Sequence, residues 1–470
     1  MMRGLARFVL AGAMALGAGV AQAQETEAHR RALAAGYQAA FTCSGVFNNN
    51  GRHPSLLTNR ELSGVYPELR PYIGIEGSLI DPRASTVSVS FSDDLPPRIA
   101  FWRPGLGCAL LPIGASAEAA AHVPKLTILP PRRLAVRWAR GSAEVIPEKD
   151  ALNSDVMAVV EKAFSASYGD KAATSAVVVV KDGEIIAERY AENFGPEIAQ
   201  RTWSVGKSIA ATVIGIAVED GVLKVEDPAP ISHWRKAGDP RGAITLANLL
   251  HMGSGLYSEA RGNRTDAIYH GGTTVEEKAI GMPLEAKPGA RFRYANNDTL
   301  LAMRALRKAI GDDAKYLAFP FEKLFWKIGM IHTFAETDWN GDFIMSSQVW
   351  TTARDLARFG QLYLQEGKWG EEQILPKAWI DFVRTPAPAQ PQSAIEGDGP
   401  AYGAQFWLHG PKQGLPEGTY AAHGNRGQYV VIVPEANMVI VRRGYDPVGE
   451  GGGFDIQRFA ADVIAASRLE

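Results

Sequence analysis

Only two cysteines occur in the 470 residues, and no Cys-x-x-Cys pair, His-Glu-x-x-His helix or histidine cluster accompanies them. A zinc or iron–sulfur centre therefore has no ligand set in the sequence, and no metal or other cofactor is expected. An excess of one charge is missing too. The 49 basic and 51 acidic residues leave a formal net charge of −2 with no basic stripe, so nucleic acid and anionic membrane surfaces are not expected partners. Beyond the first 23 residues no apolar run approaches the roughly 18 residues of a spanning helix. A repeat with a period of about 20–50 residues is also absent, which excludes solenoid and propeller arrays.

What is present is an ordinary globular composition, 46% apolar and 21% charged, long enough for two or three domains and a large core. The start of the chain is different. Met1 to Arg7 carries two arginines and no acid, Phe8 to Val20 is small and apolar, and Ala21-Gln22-Ala23 has the A-x-A form of a cleavage site. Residues 1–23 are thus expected to be a secretory signal peptide, which places the mature protein in the periplasm or outside the cell. In that oxidising setting Cys43 and Cys108 are expected to form a disulfide, worth about 2–4 kcal/mol. Two buried free thiols are the alternative.

Residues 24–150 read as a small N-terminal α+β region. Thr86 to Phe91 alternates as a strand does, and Arg98 to Trp102 reads as another. The prolines at 130, 131 and 147 mark connecting chain. Nothing in this region carries a chemical motif, and its role stays open between covering an active-site mouth and shielding a sheet edge. Residues 151–470 are more legible. Asp155 to Phe164 has helical spacing, Ser175 to Val180 and Glu184 to Tyr190 form a hairpin through Lys181-Asp182-Gly183, and Ser204 to Asp220 is a helix stopped by Gly221. A largely helical stretch follows from about 225 to 385, including Asp355 to Leu364, and then a proline-rich surface loop over 386–400. Strands at Tyr429 to Val433 and Met438 to Arg442 and a helix from Asp455 to Ala466 close the chain. The fold class is α/β, of the α+β kind: an antiparallel sheet built from both ends of this region, flanked by helices and interrupted by a helical insertion.

Three motifs carry possible chemistry. Ser204-Val205-Gly206-Lys207 puts a hydroxyl and an amine one helical turn apart. A serine needs a nearby base to attack, and lysine serves when burial and a neighbouring cation lower its pKa. Otherwise Ser204 caps the helix and Lys207 is solvated. Tyr294-Ala295-Asn296 offers a phenol that can relay a proton, its phenolate stabilised by a nearby lysine, and an amide that can hold both lysine and substrate; core tyrosine and turn asparagine are the plain alternative. Ala422-His423-Gly424-Asn425-Arg426-Gly427-Gln428 precedes a strand, where glycine lets a ligand approach the edge and free N–H groups can serve an oxyanion. It is otherwise a turn. Gly253-Ser254-Gly255 is not a nucleophile elbow, because Met252 stands where the first glycine belongs. His251, His270 and His409 read as structural, and Tyr402, Phe406 and Trp407 as core in preference to an acyl pocket.

The order of these motifs resembles class C beta-lactamases and related serine hydrolases: D-alanyl-D-alanine carboxypeptidases, family VIII esterases and 6-aminohexanoate-dimer hydrolases. Flanking matches are Gly221-Val222-Leu223 with Asp227-Pro228, Ile244 to Leu256, and Thr351 to Leu356. The likeness spans about 155–465. It implies a beta-lactamase-like catalytic domain with Ser204 as acylated nucleophile, Lys207 as its base and Tyr294 sharing the acid–base role. Asn296 would position the substrate, and the N–H groups of Ser204 and Asn425 would form the oxyanion hole. One departure stands out. Where penicillin-recognising relatives carry Lys-Thr-Gly, this chain has Ala422-His423-Gly424. Loss of that cation costs about 1.5–3 kcal/mol for carboxylate-bearing substrates, unless Arg426 or Arg442 substitutes. His423 is a structural histidine or a substrate contact. The resemblance therefore implies an enzyme for small esters or amides. A beta-lactamase or cell-wall carboxypeptidase, and a non-catalytic binding protein of the same fold, are the alternatives. Oligomeric state is not legible.

Overall fold

The computed structural model describes residues 27–52, 54–75, 77–129, 152–258, 265–448 and 453–468. The expected signal peptide, the prolines at 130, 131 and 147 and the expected boundary near 150 lie outside the described residues.

The N-terminal region opens with a helix over 27–47 and a second at Pro54–Leu62. Four strands follow, β1 (Leu79–Asp81), β2 (Thr86–Val89), β3 (Arg98–Arg103) and β4 (Gly107–Leu110), paired antiparallel in that order. The Cys43–Cys108 disulfide joins the 27–47 helix to β4. A buried carboxylate fastens this region to the rest of the chain. Glu336 accepts from Ser44 Oγ at 2.6 Å, the Cys108 N–H at 3.2 Å and Asn48 Nδ2 at 3.4 Å, and burial pushes its pKa up to about 7.

The larger region begins with the Ser154–Lys162 helix, capped by the Asn153 side chain, and the hairpin β5 (Thr174–Lys181) and β6 (Glu184–Tyr190). Asp182 and Gly183 both have positive φ, 52° and 84°, the backbone that a two-residue turn between twisted strands requires. Short strands β7 (Gln200–Arg201), β8 (Phe334–Ala335) and β9 (Val349–Thr351) form a side sheet in the order β7-β9-β8, and β10 (Lys368–Trp369) pairs with β11 (Glu372–Gln373). The last strands are β12 (Ala401–Tyr402), β13 (Trp407–Leu408), β14 (Tyr420–Gly424), β15 (Gln428–Val433) and β16 (Met438–Gly444). Because β16 pairs antiparallel with β5, the two ends of the region close one seven-stranded sheet, ordered β12-β13-β14-β15-β16-β5-β6.

Period-two alternation explains why this sheet is covered on both sides. Val177, Val179, Val431 and Ile440 pack with the Ser154–Lys162 and Ile456–Ala466 helices. Val178, Val180, Val430 and Val439 pack on the other face with the Val205–Glu219 and Ala353–Leu364 helices. The insertion's Asn296–Ile310 helix lies against Val205–Glu219. The 386–400 segment is not all loop, since Gln392–Glu396 makes one short helix behind Pro391.

Candidate active site

Ser204 sits at the N-terminal boundary of the Val205–Glu219 helix, and its side chain makes no capping bond. The residue before it, Trp203, is held at φ 50°, a conformation disfavoured for a bulky side chain. Lys207 is 1% exposed. Its Nζ lies 3.2 Å from Ser204 Oγ, 2.5 Å from Asn296 Oδ1 and 2.7 Å from the Ser346 carbonyl oxygen. Gly206 permits the last contact, because a Cβ there would stand 2.7 Å from the Met345 carbonyl oxygen. The solvated lysine of the plain alternative is excluded by this burial.

Burial, and after it the Arg201 guanidinium, pulls the Lys207 amine well below its ordinary range. Arg201 is itself buried. It donates to Ser347 Oγ at 2.9 Å, and its guanidinium rests 3.7 Å from the Trp203 ring centroid and 4.3 Å from that of Phe41. The sequence reading asked for a cation near Lys207 and did not name one. Arg201 stands three residues before the serine, and no motif marks it.

Tyr294 lines the same cleft as Ser204, and Lys207 Nζ lies 5.0 Å from its ring centroid. Burial pushes the phenol up, against the opposing effect of the nearby Ser204 hydroxyl, which favours the neutral hydroxyl over a phenolate. Asn296, the first residue of its helix, reaches Lys207 through Oδ1.

The third motif forms the opposite wall. Gly424 ends β14, and a Cβ on it would stand 2.3 Å from the Thr202 carbonyl oxygen. Only glycine allows the strand this close to the serine segment. Arg426 and Gly427 turn the chain at φ 59° and 77°. Among the described residues neither the Ser204 nor the Asn425 N–H has a backbone acceptor. His423 is held as a structural histidine would be, its Nε2 3.1 Å from that of His409 and its ring stacked on Trp407, and it lines the cleft with Ser204. Burial and the His409 ring hold His423 well below its ordinary pKa, so it is a neutral group.

Neither arginine replaces the missing lysine. Arg442 is tied to Asp446 and Thr174, and Arg426 to the carbonyls of Arg60, Tyr445 and Asp446. Tyr402 and Phe406 are core as read, whereas Trp407 lines the cleft. That cleft, about 360 Å³, also takes Ser204, Tyr294, Asn296, Gly424 and Asn425, together with Tyr66 and Tyr269, which the sequence gave no reason to choose. Among the described residues, none that lines it carries a full charge. Ser254 is removed from consideration, being buried with its hydroxyl on Asp298 at 2.7 Å.

Comparison with known proteins gives the family and the fold. A family model described as beta-lactamase matches residues 160–442. The 6-aminohexanoate-dimer hydrolase of Paenarthrobacter ureafaciens is 23% identical over 297 residues, 58% of this chain and 73% of that protein. A solved Bacillus anthracis structure, provisionally named as the same enzyme, shares the fold with a TM-score of 0.53 and 24% identity, covering 64% of this chain and 80% of its own. A solved family VIII carboxylesterase does so with a TM-score of 0.52 and 14% identity, over 67% and 98% of the two chains.

Proposed function

This chain belongs to the beta-lactamase family of hydrolases, and from that premise we propose that it cleaves small, uncharged esters or linear amides through an acyl-enzyme at Ser204. One observation carries the proposal: Lys207, buried and stripped of its usual basicity, contacts Ser204 Oγ while two fixed acceptors hold the same amine. A neutral amine has two N–H groups and one lone pair. With the N–H groups on Asn296 Oδ1 and the Ser346 carbonyl, the lone pair faces the serine hydroxyl.

In the reaction Ser204 Oγ attacks the substrate carbonyl as its proton passes to Lys207. The N–H groups of Ser204 and Asn425 receive the negative charge that develops on the carbonyl oxygen. Collapse of the tetrahedral intermediate breaks the bond to the alcohol or amine, which leaves with a proton relayed from Lys207 through the Tyr294 hydroxyl. Water then attacks the acyl-serine with the same groups working in reverse. Asn296 positions Lys207, and His423 offers the substrate a neutral hydrogen-bonding edge.

The described lining of the cleft carries no full charge, which favours substrates without a carboxylate beside the scissile bond and sets esters and linear amides ahead of penicillins and peptide C-termini. The test compares hydrolysis of nitrophenyl butyrate with that of nitrocefin, using Ser204→Ala as the blank. The expected result is Ser204-dependent ester turnover with kcat/KM at least tenfold above that for nitrocefin. Efficient nitrocefin turnover would reverse the assignment, and equally negligible turnover by both proteins across esters, amides and lactams would make the chain a binding protein. We place the mature protein in the periplasm or outside the cell. The Cys43–Cys108 disulfide fits that location, and among the described residues no helix is long and apolar enough to cross a membrane.

A further inference from the structure

The family match begins at residue 160, yet three contacts tie the N-terminal region to the reacting groups. Phe41 packs against the guanidinium of Arg201, the cation beside Lys207. Arg426, in the turn that presents the Asn425 N–H, donates to the Arg60 carbonyl at 2.7 Å and to Ser63 Oγ at 2.8 Å. Gly64 lies tight under the same guanidinium, where a Cβ would be 2.7 Å from Arg426 Nη1. The segment that follows the Pro54–Leu62 helix is thereby registered against the oxyanion turn.

That segment ends on Tyr66. Its carbonyl accepts from the Leu69 and Arg70 N–H groups at 3.0 and 3.1 Å, and its ring lies 6.4 Å from that of His270, which packs at 5.5 Å on Tyr37. The Tyr66 side chain is half-buried and lines the cleft together with Ser204, Tyr269 and Trp407. A half-buried aromatic ring beside a nucleophile, in a cleft whose described lining carries no formal charge, binds hydrocarbon by excluding water from it.

We propose that the N-terminal region supplies the specificity wall of the active site, with Tyr66 packing against the apolar chain of the substrate next to the scissile bond. The proposal rests on the serine-hydrolase reading of Ser204. It assigns the region a place in substrate selection and makes Arg426 a positioning residue that keeps wall and oxyanion turn in register. Each methylene held against such a wall raises kcat/KM by about fourfold.

The experiment measures kcat/KM for two ester series: nitrophenyl acetate, butyrate and octanoate, and methyl, butyl and octyl butyrate. The enzymes are wild type, Tyr66→Phe and Tyr66→Ala, each with its thermal unfolding profile. The expected result is a long-over-short preference kept by Tyr66→Phe and reduced roughly tenfold or more by Tyr66→Ala in at least one series. Should Tyr66→Ala fail to fold, Tyr66→Gln, which keeps length and removes the ring, carries the same expectation. Preferences unchanged in both series would overturn the proposal. Fluorophosphonate labelling of wild-type Ser204 separates the two levels. A labelled serine with unchanged preference defeats the wall and leaves the hydrolase reading standing, whereas an unlabelled, inactive wild type defeats both.

Discussion

Lys207→Met is expected to lower kcat/KM for the preferred ester by about 10³-fold to 10⁴-fold, the upper part of the range for a lost general base. Methionine matches the lysine stem in length and is at home in the buried site. It leaves the Asn296 Oδ1 and Ser346 carbonyl acceptors without their donor, a cost of roughly 1–3 kcal/mol each, so a melting curve must accompany the kinetics. The pH profile sharpens the test. A base works only when neutral, so wild-type kcat/KM falls as the pH drops through the pKa of Lys207. Burial and Arg201 have lowered that pKa, which moves the acid limb of the profile below the range of an ordinary lysine. In Lys207→Met that limb disappears. A folded variant within tenfold of wild type that keeps the same limb would assign the base elsewhere.

The second large effect is expected at Gly424. In Gly424→Ala the new Cβ meets the Thr202 carbonyl oxygen at 2.3 Å, a backbone atom that no side-chain rotation can remove. Strand β14 and the Thr202–Ser204 segment must therefore separate, and with them the N–H groups of Asn425 and Ser204. Loss of one oxyanion donor typically costs about 10²-fold to 10³-fold in kcat. The same fall is expected here with KM little altered, because the hole binds the transition state more strongly than the ground state. A kcat within threefold of wild type would show that the turn does not serve the oxyanion. His423→Ala provides a contrast, since the ring lines the cleft without closing the hole.

Much of this architecture was legible in the sequence because local signals and global packing agree. Asp182-Gly183 demands a hairpin turn, Gly221 stops the Val205–Glu219 helix at φ 73°, and the valine run at 177–180 announces a strand, which the structure buries on both faces. Pairing β5 with β16 could be inferred from strands at the two ends of one region. The convergence of Ser204, Lys207, Tyr294 and Asn296 was legible only through the order of motifs, since nothing local in Tyr294-Ala295-Asn296 says where it folds.

Other features could not be read because they are properties of distance, not of spacing. Arg201 acts on Lys207 by its charge, after burial has already disfavoured the ammonium, at a separation that only the fold sets. Arg426, considered as a substrate cation, instead spends its donors on the backbone at residue 60 and the hydroxyl of Ser63. Tyr66 follows a short helix that carries no motif, and its place in the cleft depends on how the N-terminal region docks. Trp407 looked like core because aromatic residues before a strand usually are, and its neighbours Tyr402 and Phe406 do belong there.

The most direct measurement is peptide mapping by mass spectrometry after reaction with a fluorophosphonate. The account predicts a single adduct on the peptide containing Ser204, absent from Ser204→Ala and formed far more slowly in Lys207→Met. A folded, ester-hydrolysing protein whose adduct lies on any other residue, or that acquires none, would contradict it.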